Sequence, residues 1–230
     1  MLEKLKEDVC RANLELLSSG LVIQTWGNVS GVDRQAGKMV IKPSGVSYEE
    51  MTPEKMVVVD LESGQAEADQ LKPSSDTPTH LVLYRGFEGI GGVVHTHSTY
   101  ATAWAQAARK IPPMGTTHCD YFHGAIPCTR LLSDQEVEGD YETNTGEVII
   151  ETFRDLDPMR IPAVLVAVHG PFAWGRDPAE AVGSAIILEH LARLASETVA
   201  IAGYPRRFPD SMLDKHYNRK HGPGAYYGQN

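Results

Sequence analysis

The chain has 230 residues, of which 42% are hydrophobic and 22% charged, with a formal net charge of −9. That length buries one sizeable core, and the composition is ordinary for a globular domain. The acidic balance excludes a nucleic-acid binder with a basic face, and it means that any anionic ligand must be held by local donors.

The start, MLEKLKEDVC, lacks the apolar core of a signal peptide, and no run approaches membrane-spanning length. Cys10, Cys119 and Cys128 are odd in number and without framework spacing, which points to a reduced, cytoplasmic compartment. From Leu2 to Leu17 the apolar positions Leu2, Leu5, Val9, Ala12 and Leu16 recur at helical spacing, and Ser18-Ser19-Gly20 ends the run. LVIQTWGNVSGVD reads as a strand followed by a turn, KMVIKPSG as a second strand and turn, and MVVVDL as a third strand. DTPTHLVLYRGF reads as a helix, capped by Thr77 with Pro78 in its first turn. GGVVHTH reads as a strand, and a helix follows through STYATAWAQAA. GEVIIETF and AVLVAVHG read as further strands, with GPFAWG as a hairpin return. Asp177 as N-cap, Pro178 at N1 and Glu180 at N3 open a long helix expected to reach Gly203. Hairpin-paired strands mixed with helices predict a single α/β domain without strict βαβ alternation.

His95 and His97 are the first chemical signal. Two apart on a strand, they share a face with Cα atoms roughly 6.5 Å apart. Neutral imidazoles so placed can converge on zinc or a first-row neighbour, and a hydrogen-bonded strand-end pair is the alternative. His169 ends another apolar segment before Gly170, and it would complete a three-histidine set with a coordination position left open. Asp76 is either a fourth ligand or a partner of one. From the sequence alone it is as readily a helix-start carboxylate beside Thr77-Pro78.

The second signal is three loops, TWGNVSG, IKPSGVS and LKPSSDTPTH, the last two repeating Lys-Pro-Ser. Exposed N–H groups, serine hydroxyls and a lysine together can hold a phosphate. Ordinary turns use the same residues.

TWGNVS, IKPSGV, KPSSDTPTH, VVHTHS, GTTHCDYF, IPCTR, HGPFAWG and the tail LDKHYNRKHGPGAYYGQ resemble, in order, the 4-epimerase branch of the class II aldolase/epimerase (fuculose-phosphate aldolase-like) superfamily. The resemblance spans nearly the whole chain and implies one domain built on a central, mostly antiparallel β-sheet covered by helices on both faces. It implies one zinc ion per subunit, held by His95, His97 and His169 with Asp76 as a further ligand. It places a phosphate on Gly27, Asn28, Ser44, Gly45, Ser74 and Ser75, with Lys42 in reach. The implied reaction interconverts L-ribulose 5-phosphate and D-xylulose 5-phosphate by cleaving and re-forming a carbon–carbon bond, a step of pentose (arabinose-type) catabolism. Asp120 and Tyr227 match the acid/base pair, and His216 approaches the same site. The tail, from about residue 212 to 230, is expected to reach a neighbouring subunit of a homotetramer.

Two other readings are open. One is an aldolase of the same superfamily acting on a fuculose- or rhamnulose-type ketose 1-phosphate, although such enzymes resemble one another in carrying glutamate where this chain has Asp76. The other is a non-enzymatic sugar-phosphate or metal-binding module. His80 and His190 read as structural, Trp104 and Trp174 as core or pocket wall, and Lys215, Arg219 and His221 as a solvated helix end. Glu142 and Thr116 resemble positions near the family's site, and His118 and His123 carry no assigned role.

Overall fold

The computed structural model describes residues 2–204 and 208–227. In chain order, helix α1 (Leu2–Ser18) precedes strands β1 (Asn28–Asp33), β2 (Lys38–Ile41) and β3 (Val57–Asp60). Then come α2 (Thr77–Gly86), β4 (Gly92–His95), α3 (Thr99–Gln106), α4 (Thr116–Cys119), α5 (Asp134–Glu138) and α6 (Tyr141–Thr152). Strands β5 (Ala163–Leu165) and β6 (Pro171–Gly175) are followed by α7 (Pro178–Ala202) and α8 (Asp210–His221). The strands form one sheet in the order β3-β2-β1-β4-β6-β5, with every neighbouring pair antiparallel.

Residues directly opposite in an antiparallel pair point to the same face. Asn28 lies opposite His95 and His95 opposite Phe172, while Ser30 lies opposite Val93 and Val93 opposite Trp174. This face packs against α2 and α6. Ser30 Oγ meets His80 Nδ1 at 2.7 Å and the Tyr84 hydroxyl at 2.8 Å, and Trp174 packs against Phe87 and Phe153. The other face carries Val29 and Gly31 against α1, whose Val9, Ala12 and Leu16 are buried, and it also receives α7. Asn13 of α1 locks onto β1: its Oδ1 accepts from the Val29 N–H at 2.9 Å and its Nδ2 donates to the Val29 carbonyl at 3.1 Å. Helices therefore cover both faces, and His80, Trp104 and Trp174 are buried in the interior.

Four local expectations are corrected. The segment before Asn28 is not a strand, and β1 is built from the residues read as its turn. Gln24 and Gly27 adopt φ of 56° and 80°, which breaks an extended course there. GEVIIETF is the second half of α6 with its C-cap, Phe153. Asp140 accepts from the Thr143 N–H to start that helix, and Thr145, Val148 and Ile149 form its buried face. Gly146 permits close packing there, since a Cβ would lie 2.6 Å from Val82 Cβ of α2.

AVLVAVHG is a strand only as far as Leu165, because the Val166 N–H donates to Gly170 O and the His169 N–H to Val166 O. That tight turn places Val168 at φ 57°. Finally, Asp76, not Thr77, occupies the N-cap of α2, and the Thr77 hydroxyl donates to Ser74 O at 2.7 Å.

The start of α7 is as read. Asp177 accepts from the Glu180 N–H at 2.8 Å, although the Glu180 carboxylate returns to the Arg176 N–H. Glu189 of α7 accepts from the N–H groups of Tyr100 and Ala101, capping α3 from another element. Among the described residues no helix is long and apolar enough to cross a membrane.

Candidate active site

β4 ends at His95, so His97 lies beyond the strand, and the pair does not rely on strand alternation alone. Their Nε2 atoms are nevertheless 3.1 Å apart. The β5–β6 turn brings in His169, and the three rings offer nitrogens that all lie within 4.8 Å of one another. His95 Nδ1 is 2.9 Å from the Pro171 carbonyl, which can only accept; Nδ1 therefore carries a proton, and Nε2 is the nitrogen turned toward His97 and available to a metal. Burial, with neighbouring His95, lowers the pKa of His97 and takes His169 down to about 4, favouring the neutral rings that a metal requires. The residues fit a divalent ion of the zinc type, with three imidazoles and an open position.

Asp76 borders the same cavity as His95, His97 and His169, beside the set whose ring nitrogens converge most closely. Its Oδ2 accepts from Asn28 Nδ2 at 2.6 Å, and from its N-cap position the side chain makes no capping hydrogen bond to α2. Burial opposes its ionisation, but the His95 and His80 rings and the Asn28 hydrogen bond more than offset that, and the carboxyl stays below its usual range.

A cavity of about 440 Å³ is lined by the triad, Asp76 and the three loops together: Gly27, Asn28, Lys42, Ser44, Gly45, Ser74 and Ser75 all border it. The loops are bound to one another. Ser44 N–H donates to Lys72 O, and Ser74 N–H donates to Lys42 O, joining the two Lys-Pro-Ser segments. Gly27 is required where it stands, since φ is 80° and a Cβ would fall 2.9 Å from His95 O. Lys42 is buried against the Tyr48 ring, and desolvation lowers its pKa. A larger cavity of about 580 Å³ between α7 and α8 contains none of these residues.

Asp120, His216 and Tyr227 do not border the histidine cavity. They gather instead where α4 meets α8. Arg219 grips the Asp120 carboxylate with two bonds of 3.0 and 2.7 Å, and His216 Nδ1 lies 3.1 Å from the same group. Burial opposes ionisation of Asp120; Arg219 and then His216 more than offset it and hold the carboxyl below its usual range. Tyr227 lies under the Arg219 guanidinium, 4.5 Å from ring centre to Cζ. Arg219 and His221 are therefore not a solvated helix end, since His221 Nε2 also donates to Asp120 O at 2.9 Å. Asp120 is grouped with the tail and not with the three histidines.

Tyr141 was not singled out by the sequence. Its hydroxyl is 3.2 Å from His169 Nδ1, and it borders the cavity beside Glu142. Its position follows from α6 being a helix, which the strand reading hid. Trp26, also on the cavity, is 55% exposed at the rim.

The family profile described as Class II Aldolase and Adducin N-terminal domain matches residues 7–196. The chain is 54% identical over 228 residues to proteins named L-ribulose-5-phosphate 4-epimerase UlaF from Salmonella paratyphi B and Salmonella typhi, covering 99% of this chain and 100% of each relative. A solved structure named L-fuculose 1-phosphate aldolase superposes with a TM-score of 0.78 at 24% identity, covering 94% of this chain and 95% of that one. The latter supports the fold alone. With a matched profile over most of its length and full-length relatives of high identity, the chain belongs to the class II aldolase family.

Proposed function

We propose that the chain is a divalent-metal-dependent 4-epimerase that interconverts L-ribulose 5-phosphate and D-xylulose 5-phosphate. The observation that carries this reading is a single cavity bordered by both the histidine triad and the anion-type loops. The full-length relatives named for this reaction support it.

The hydrogen on C4 is not acidic, because C4 is not adjacent to the C2 ketone, so simple deprotonation cannot invert it. Cleaving C3–C4 leaves a three-carbon enediolate and glycolaldehyde phosphate, and re-addition to the aldehyde's other face inverts C4. A divalent ion at His95, His97 and His169, zinc being the expected one, supplies Lewis-acid stabilisation of charge developing on the ketose oxygens. Lys42, Ser44, Gly45, Ser74 and Ser75 hold the phosphate, so the two-carbon fragment presents its second face without leaving. Asn28 steadies Asp76 at the edge of the triad.

Asp120 and Tyr227 are the acid/base pair, each serving the C4 oxygen of one epimer. Since both lie away from the cavity of their own copy, the working site is shared. The Asp120–tail unit of one protomer faces the histidine cavity of the next in a homotetramer. Ile23, Trp26 and Val168, in the loops that carry the cavity, are large apolar side chains that are 60%, 55% and 63% exposed, which favours a face met by another copy.

The test is incubation of metal-loaded protein with L-ribulose 5-phosphate, following D-xylulose 5-phosphate with and without a chelator. Conversion that stops on metal removal is expected. No conversion, or conversion indifferent to complete metal removal, sinks the reading.

A further inference from the structure

Arg219 touches both Asp120 and Tyr227. Its Nε and Nη2 donate to the two oxygens of Asp120, and its Cζ lies over the Tyr227 ring, 4.5 Å from the ring centre. Its carbonyl accepts from the N–H groups of both Tyr226 and Tyr227, at 3.0 and 3.1 Å. One residue thus holds the carboxylate, the phenol ring and the backbone that carries the phenol. Lysine cannot reproduce this, because a point charge on a flexible stem gives neither the two-pronged grip nor the planar face.

We propose that Arg219 is the positioning residue that couples Asp120 to Tyr227, setting both groups in register for the two faces of the aldehyde. The inference rests on the reading of Asp120 and Tyr227 as the acid/base pair. It goes beyond that reading by giving the pair a common support within one protomer. Arg219 moves no proton itself.

The charged surroundings of Asp120 favour this assignment. His216, Arg219 and Lys220 of α8 face it, His221 contacts its carbonyl, and the Cys119 thiol is its neighbour on α4. Of these, Arg219 contacts both carboxylate oxygens. Lys220 lies over the rings of Tyr121 and Tyr227, and His216 makes a single contact to one oxygen. Without Arg219, Asp120 loses the main partner favouring its ionised form, and Tyr227 loses the cation over its ring.

The test compares wild type with Arg219→Lys, Arg219→Gln and Arg219→Ala, with Asp120→Asn as reference, in the metal-loaded full chain. The proposal expects kcat to fall roughly 10- to 100-fold in all three Arg219 variants, with KM for L-ribulose 5-phosphate nearly unchanged. The acidic limb of the kcat/KM profile should move to higher pH in Arg219→Gln. Added guanidinium ion should restore part of the turnover of Arg219→Ala, while metal content and oligomeric state stay as in wild type. If Asp120→Asn is inactive but Arg219→Gln keeps the wild-type rate and pH profile, the proposal is overturned and the acid/base reading survives. Loss of assembly or metal in the Arg219 variants, with no guanidinium rescue, also overturns it in favour of a structural role. Full turnover in Asp120→Asn removes the acid/base reading and this proposal with it.

Discussion

His95 Nδ1–H donates to the Pro171 carbonyl at 2.9 Å, and Pro171 lies directly after the turn that carries His169. One hydrogen bond therefore sets the tautomer of the first histidine and ties it to the segment that positions the third. A metal centre needs both, because a ligating imidazole must present a lone pair and keep its orientation.

From that geometry, wild-type protein is expected to hold about one divalent ion per chain. His97→Asn should empty most sites and impair turnover, whereas Tyr141→Phe should keep the ion but weaken its affinity, at most about 10- to 100-fold. Metal analysis after dialysis against graded chelator checks both. A full site with wild-type turnover in His97→Asn counts against the ligand assignment.

On the proposed reading Lys42 bears on the phosphate and not on bond cleavage. Lys42→Met should raise KM for the phosphopentulose by roughly 10- to 100-fold, the scale of one charge-assisted hydrogen bond. Inhibition by inorganic phosphate should weaken in parallel. If KM and phosphate inhibition both keep their wild-type values, the anion lies elsewhere.

The proposed sharing of the site between copies would make two dead subunits complementary. His97→Asn lacks the metal half and Asp120→Asn the acid/base half. Unfolded together and refolded as random mixtures, they should regain about a quarter of wild-type sites. Activity no higher than that of either variant alone would place Asp120 in the same copy as its metal or remove it from the chemistry.

Two buried histidines give stability a pH dependence. Burial takes the pKa of His80 down to about 3 and that of His118 to about 4, whereas an unfolded histidine titrates near 6.5. The folded state keeps both rings neutral, so their contribution is present in full above about pH 6.5 and is lost as pH falls toward the folded values. Between pH 7 and 5 each should account for about 2 kcal/mol of lost stability. Urea unfolding of His118→Gln should show a correspondingly shallower fall across that range. An unchanged slope would show that His118 is not held neutral by the fold.

Much of the molecule is legible before folding is considered. α1 and the opening of α7 are read correctly because their signals, an apolar stripe and a cap followed by proline, are local. The KPSG and KPSSD loops are recognisable because hydroxyls, glycine and lysine are adjacent in the chain. The misreadings have local causes too. Val148, Ile149 and Ile150 are β-branched, and a window opening at Gly146 omits the Asp140 cap that makes the segment a helix. Losing α6 also hides Tyr141 from the site.

The sequence by itself determined the family, the sheet with helices on both faces and the inventory of donors, because each is written in contiguous residues. Only the tertiary structure decided how those donors are grouped. It closed a turn after Leu165 to bring His169 to His95 and His97, set Asp76 beside them on Asn28, and joined the two Lys-Pro-Ser loops. It also took Asp120 away from the histidines and gave it to Arg219, 99 residues later. No periodicity records that pairing. A buried carboxylate takes whichever cation the packing of α4 against α8 delivers, and that choice exists only once the chain is folded.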